Sequence, residues 1–560
     1  MFRGQRYLAL FRVLDFKGKL IVGSLLFFIA AALLYWAGAF YVSMTKVVPT
    51  TGGSYTEGIV GQPRYLNPIL SQTSAADKDL VQVLFSGLFG YGADGNVVPK
   101  LAEHFSVSDD GKVYTVTLRA GAKWHDGTDV TADDVLFTVN SIEDPAFKSL
   151  LRQNWQGIDV SSTDARTVVF TLKKSYFGFL EHLTVGILPK HIWESIPPER
   201  FALADYNLVS PVGSGPYQFA GLKKDANGNI LSYDLAAFPQ YFEGTPYITK
   251  LSFHFYAGED ELLSGFKKKE IMGMSPLSRM GADDLRNRRG TDVHEFLLPR
   301  VFAVFFNPVK SVPLAYAEVR EALSRATDRD ALVKSVLHGE GTATSSPLLS
   351  FMDNVPTPQV IPYDVDAANR LLDDKGWTKG EGGIRKKGDA RLEFDLAVPD
   401  WADLKATADA LAAQWAKVGA RVNVKVLGVS DLSQSLIRPR EYQALLYGEE
   451  MRLDPDYYSF WHSSQKADPG LNLAMFDDTG ADDALTALRE TIDPGKRKDL
   501  FTQFEAALGA KWPAVFLYSP KADYVVLGQV KGITLGKADD FSSRFSDVSH
   551  WYIDTKRVRK

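Results

Sequence analysis

Residues 112–139 pass through three hydrophobic patterns in succession. Tyr114, Val116 and Leu118 alternate with Val113, Thr115 and Thr117, the period of two expected of a half-buried strand. Trp124-His125-Asp126-Gly127 interrupts the alternation as a turn, with Trp124 assigned to the core. Thr131 then stands where a helix N-cap belongs, Asp134 follows three residues on, and Val135, Leu136 and Val139 form an apolar stripe. Further strands are predicted at 56–60, 168–172, 251–255, 392–396 and 422–426, and a helical pattern over 404–418 runs straight into the last of them. Val319, Ala322, Leu323 and Ala326 recur at helical spacing; Asp328 is placed to cap the next helix, which carries Leu332 and Val333 and stops at Gly339 and Gly341. Strands alternating with helices predict an α/β fold with largely buried mixed sheets.

One run belongs to no such core. Residues 20–44 carry no charge and exceed the roughly 20 apolar residues that a helix needs to cross a bilayer. Arg3, Arg6, Arg12, Lys17 and Lys19 precede the run against Asp15, and Lys46 alone follows closely. The positive-inside rule therefore sets residues 1–19 in the cytoplasm and the bulk of the chain outside. A cleaved signal peptide also fits the basic start and Ala37-Gly38-Ala39, but its core usually spans about 7–15 residues, which favours an anchor. Residues 45–53 read as a short linker, and the folded region is expected to begin near residue 54.

A chain of 560 residues has room for about three or four structural units. Its net charge of -5 gives no electrostatic drive toward nucleic acid. It has no cysteine, so neither a disulfide nor a lipid-bearing cysteine is possible. The nine histidines do not cluster, and His125 and His462 each lack a second ligand at metal spacing, so no cofactor and no resident metal is expected. There is no nucleotide-binding glycine loop, no HExxH and no nucleophile elbow; Ser214 lacks the elbow spacing, so no catalytic residue is expected. The loop Gly213-Ser214-Gly215 is architectural, its glycines assigned to positive φ. Arg320 and Arg325 are expected to pair with neighbouring acids, and Lys267-Lys268-Lys269 and the tail Lys556, Arg557, Arg559 and Lys560 to be solvated charge runs.

Five stretches together resemble the extracytoplasmic solute-binding proteins of family 5, the peptide- and nickel-binding class that feeds ATP-driven importers. They are residues 112–139, GSGPY at 213–217, VREALSRATDR at 319–329, the DxxxAxxLLxxxGW pattern of Asp364, Ala368, Leu371, Leu372, Gly376 and Trp377, and residues 447–472. The resemblance implies a two-lobed periplasmic-binding-protein-like fold with an extra domain, preceded here by one transmembrane helix. Lobe one would comprise residues 54–91, 211–298 and 516–560, the extra domain 92–210, and lobe two 299–515. Chain crossings near Pro299 and Tyr518 would form the hinge.

In peptide-binding members of that family an aspartate beside the 447–472 stretch holds the ligand's ammonium; the spacing differs here, and the candidates are Glu449, Glu450, Asp454 and Asp456. Tyr457, Trp461, His462 and Asn472, with Asn67 of Tyr65-Leu66-Asn67-Pro68, complete the candidate ligand-binding set. Each has a structural alternative, as turn, cap or packing residue. The implied protein is a monomeric, membrane-anchored binding protein that captures peptides between its lobes and delivers them to the permease and ATPase subunits of an ABC importer. Oligosaccharides, nickel chelates and opines remain open as ligands. A sensory role and a secreted hydrolase with paired cleft carboxylates remain open as functions.

Overall fold

The computed structural model describes residues 15–92, 94–274, 285–286, 288–352, 355–453 and 456–560. A helix spans Phe16–Met44, started by Asp15, whose side chain accepts the Gly18 N–H at 2.8 Å. None of it is buried against the rest of the protein, so its apolar surface faces outward all round. Strand Thr45–Pro49 follows with no intervening residue and pairs antiparallel with the C-terminal strand Thr555–Arg559. Residues 45–53 are thus not a free linker, and the basic tail is not a loose solvated run. Its charges stand on a paired strand.

The main sheet runs in the order Arg421–Leu427, Glu393–Pro399, Ala444–Glu450, Arg300–Phe306, Ala514–Leu527, Gly273–Met274, Ser54–Val60, Lys250–Tyr256, Ile230–Ala237 and Tyr217–Lys224. Strand Ala514–Leu527 is long because it belongs to both halves. Its first part pairs with Arg300–Phe306, from Phe305↔Ala514 to Phe302↔Tyr518, and its second with Thr291–Leu297, from Leu297↔Lys521 to Thr291↔Leu527. The change of partner lies beside Leu298 and Pro299, where the chain itself passes from one half to the other. Two adjacent crossings of this kind permit hinge motion with little disruption of the ladders.

Side-chain alternation builds the cores. In Arg300–Phe306, Val304 and Phe306 enter one apolar cluster with Leu323, Trp377 and Trp415, whereas Val301, Ala303 and Phe305 enter another with Trp461, Phe504 and Phe516. A third cluster unites Tyr55, Leu80 and Trp551 of the other half with Trp124 and with Tyr114 and Phe170 of the four-stranded antiparallel sheet Ala102–Val107, Val113–Leu118, Thr167–Leu172, Ile158–Asp164. Residues 92–210 therefore share a continuous core with that half.

The turn at His125 is docked on the glycine loop. The Gly213 N–H donates to His125 Nδ1 at 3.1 Å, His125 Nε2 lies 3.1 Å from the Gly215 carbonyl, and the His125 N–H donates to the Gly213 carbonyl at 2.8 Å. One neutral tautomer satisfies both ring nitrogens, and burial holds the imidazole pKa down at about 4. Gly213 and Gly215 do not adopt positive φ, contrary to expectation. They are glycine because of close approach: a Cβ on Gly213 would lie 1.9 Å from the Leu84 carbonyl oxygen. Thr131 and Asp134 form the expected capping box on Ala132–Glu143. Arg320 departs from expectation too, donating to the backbone carbonyls of Leu314, Lys511 and Trp512 rather than to an acid, while Arg325 pairs with Glu321 at 2.7 Å.

Candidate functional site

Of the candidate ligand-binding residues, eight are described, and Asp454 lies outside the described residues. Asn67 is buried and closes a turn, its Oδ1 accepting the Ile69 N–H at 3.1 Å, while its Nδ2 has no partner. Glu450 is exposed and pairs with Arg300 at 2.5 Å. Asp456 is held by both ends of the Arg489 guanidinium. Tyr457 is buried and donates to the Pro347 carbonyl at 3.1 Å, and Trp461 lies in the apolar core against Phe305 and Phe516. His462 stacks on Tyr458 with ring centroids 4.0 Å apart and has Nδ1 2.9 Å from Ser464 Oγ. Asn472 spends its whole amide on the loop, donating to the carbonyls of Trp461, His462 and Phe476 and accepting the Phe476 N–H.

Glu449 is the exception among them. It follows the pleat of Ala444–Glu450 inward, is buried, and neither of its oxygens closes a hydrogen bond. Burial drives its pKa well above the usual carboxylate range, opposed by the nearby Trp461 indole, so folding favours the protonated form. A polar cavity lies where the two halves meet, and none of the eight described residues lines it.

That cavity has a volume of about 250 Å³ and draws its wall from segments far apart in sequence, among them Lys78, Tyr91, Trp155, His182, Arg452 and Asp539. Arg452 reaches in just beyond strand Ala444–Glu450 of the half that holds Arg300–Phe306. Its Nη2 donates to Tyr91 Oη at 3.0 Å and to Thr184 Oγ1 at 3.3 Å, and its Nε lies 3.0 Å from Glu181 Oε2. Asp539 is 3.6 Å from the same guanidinium, and Lys78 pairs with Asp540 at 3.1 Å. Burial pushes the Asp539 carboxyl up while Arg452 pulls it down, with the upward effect prevailing. His182 packs against Trp155 and Tyr176, and its Nδ1 is buried with no partner. Burial, aided by the positive charges of Arg452 and Arg489, holds its pKa at about 3, so it is a neutral imidazole with an uncommitted nitrogen.

The chemistry available is recognition. Arg452 of one half faces Lys78, Glu181 and Asp539 across one polar space. Sequence reasoning missed these residues because they come singly from many segments. The one available signal was Arg452, which sits two positions before Asp454 inside the 447–472 stretch.

Two halves that share a hinge strand and enclose a polar cavity define a two-lobed binding protein. The family profile of bacterial extracellular solute-binding proteins, family 5 Middle, matches residues 96–472, and the chain belongs to that family of solute-binding proteins. It is similar to protein XP55 of Streptomyces lividans, 30% identical over 525 residues that cover 90% of this chain and 91% of the relative. It is similar to the oligopeptide-binding protein AppA of Bacillus subtilis, 27% identical over 484 residues covering 84% of this chain and 87% of that one. The structure of AppA in complex with a nonapeptide matches with a TM-score of 0.70 at 25% identity, covering 90% of this chain and all of that one (100%). NikZ of Campylobacter jejuni in complex with Ni(L-His) matches with a TM-score of 0.73 at 25% identity, covering 89% of this chain and 99% of that one.

Proposed function

We propose that the protein is a membrane-anchored, extracytoplasmic substrate-binding protein of an ABC importer, a monomer that captures short peptides by lobe closure and presents them to a permease. The reading takes residues 54–91, 211–298 and 516–560 as lobe one, 92–210 as an extra domain on it and 299–515 as lobe two. The observation that carries it is the cavity wall: Arg452 from one side meets Glu181, Asp539 and Lys78 from the other, a set suited to a zwitterion that carries both charges. At about 250 Å³ the cavity lies below the usual range of about 300–1,000 Å³ for small-molecule sites, which favours two or three residues over a nonapeptide. Closure follows if the ligand binds the closed arrangement more tightly than the open one. The helix Phe16–Met44, apolar and unpacked, supports the anchor.

A second reading, a compact metal chelate, is favoured by the buried, unpartnered Nδ1 of His182 and by the likeness to NikZ. A thermal-shift screen of residues 45–560 separates the two; the cut falls before strand Thr45–Pro49 so that its pairing is kept. A ligand at about 100 times its dissociation constant adds roughly 2.7 kcal/mol. A shift with di- and tripeptides supports the first reading. A shift confined to nickel–histidine, lost in His182→Phe, supports the second, and no shift with either class overturns both.

A further inference from the structure

The ribbon formed by Thr45–Pro49 and Thr555–Arg559 is unusual in its charge. In its register Thr45 faces Arg559, Lys46 faces Val558, Val47 faces Arg557 and Val48 faces Lys556. Because side chains alternate along a strand, Arg557 and Arg559 share one face with Val47, and Lys46, Lys556 and Lys560 share the other. All five cations are exposed, neither strand carries a carboxylate, and among the described residues none of the five forms an ion pair. A two-stranded ribbon is marginal on its own, and like charges so placed weaken it further. Its counter-charge must come from outside the ribbon.

Its position says from where. The helix Phe16–Met44 ends where the strand begins, and the Lys560 N–H donates to the Met44 carbonyl at 3.1 Å, so the C-terminus is sewn to the end of the apolar helix. The five-residue strand extends only about 17 Å from that point, and Lys46, Arg559 and Lys560 lie within about 7 Å of it, inside a Debye length of about 10 Å. The ribbon's far end is fixed as well. The Thr50 N–H donates to the Asp554 carbonyl and the Gly52 N–H to the Tyr247 carbonyl, while Ile553 packs on the core, so little slack separates the folded domain from the helix.

We infer that this ribbon is a binding surface for the anionic phospholipid headgroups of the leaflet from which the helix emerges, holding the domain at a set height and orientation on the membrane. The inference rests on the anchor reading of Phe16–Met44. The lysine face supplies mobile point charges and the arginine face forked donors suited to phosphate. Each cation near an anionic surface is worth about a fivefold gain in association, and the gain is lost as salt screens it.

The test uses the full chain in nanodiscs of phosphatidylcholine, alone or with about 30% phosphatidylglycerol, and reads amide hydrogen exchange at residues 45–49 and 555–560. Anionic lipid should slow exchange there by at least about threefold at low salt and leave strand Ser54–Val60 unchanged; high salt should abolish the effect. The variant K556Q/R557Q/R559Q/K560Q should lose the lipid dependence while keeping its melting temperature. Exchange that is equal in both lipids, with the chain still retained in the discs after alkaline carbonate washing, overturns the ribbon contact and spares the anchor. A chain that leaves the discs in that wash overturns both.

Discussion

Two buried histidines divide the molecule. His125 has both ring nitrogens engaged by the backbone of the glycine loop, whereas the Nδ1 of His182 ends in the cavity wall without a partner. The same contrast separates two charge clusters. In the core around Tyr55 and Trp551, Arg544 grips Glu57 at 3.0 Å and Asp79 with the same guanidinium, and Tyr55 and Tyr524 complete the shell of Glu57. Around the cavity, the Arg452 guanidinium is half-exposed and spreads its bonds over Tyr91, Thr184 and Glu181. In both contrasts the saturated group holds architecture, and the incompletely satisfied one borders the cavity, where a ligand can complete it.

The largest test of that division removes the two arginines in turn. Arg544→Met leaves two buried carboxylates without a cation and should cost about 3–5 kcal/mol of stability by urea denaturation. Arg452→Gln should instead act on the ligand, lowering affinity about 10- to 100-fold by calorimetry, the equivalent of about 1.5–3 kcal/mol for charged hydrogen bonds, with a smaller loss of stability. If the two variants exchange these effects, the cavity is structural and the Arg544 cluster is the site.

What the sequence reveals of this division follows from range. The alternation over Val113–Leu118, the capping box of Thr131 and Asp134, and the cap by Asp328 are settled within a few residues, and each forms as its pattern predicts. Arg320 could not be read, because its acceptors are carbonyls at Lys511 and Trp512, far along the chain. The same holds for the pairing of Thr45–Pro49 with Thr555–Arg559, since a strand's period shows that it pairs and not with what. The candidate ligand residues in 447–472 rest on the family resemblance of that stretch. The polar groups there are spent on structure, Asn472 on its own loop and Asp456 on the distant Arg489, while the cavity takes Arg452 from the same stretch and its other groups from elsewhere.

The histidines give a sharper, smaller contrast through pH. Both have folded pKa values depressed below the unfolded value, to about 4 for His125 and about 3 for His182. Below about pH 6.5 the unfolded chain therefore takes up protons that the folded chain refuses. Stability should fall as pH drops, by up to about 1.4 kcal/mol per pH unit for each histidine, until the folded pKa is reached. His182→Phe should remove its share of the slope with little cost at pH 7, because the ring sits among Trp155, Tyr176 and Phe179. His125→Phe should also flatten the slope but cost about 1–3 kcal/mol at pH 7, since it orphans the Gly213 N–H and the Gly215 carbonyl. Urea midpoints at pH 7 and pH 5 read both effects, and equal costs at pH 7 would erase the distinction between the two rings.

The smallest effect separates neighbours on one strand. Glu450 is exposed and its pair with Arg300 is screened, so Glu450→Gln should change stability by less than about 1 kcal/mol at any pH between 5 and 8. Glu449 is buried and, among the described residues, closes no hydrogen bond, and its raised pKa reverses the usual sign for an acid. The unfolded chain releases the proton above about pH 4.5 while the folded chain retains it, so Glu449 withdraws stability as pH rises toward its folded pKa. Glu449→Gln should thus be nearly neutral at pH 5 and more stable than the parent at pH 8. Peptide affinity decides what the carboxyl is for. A ligand ammonium held by Glu449 would ionise it on binding, so the variant would bind more weakly and the parent would release a proton measurable as a buffer-dependent heat. Unchanged affinity with no proton release assigns the ammonium to the Glu181 and Asp539 side of the cavity and leaves Glu449 as a protonated core residue.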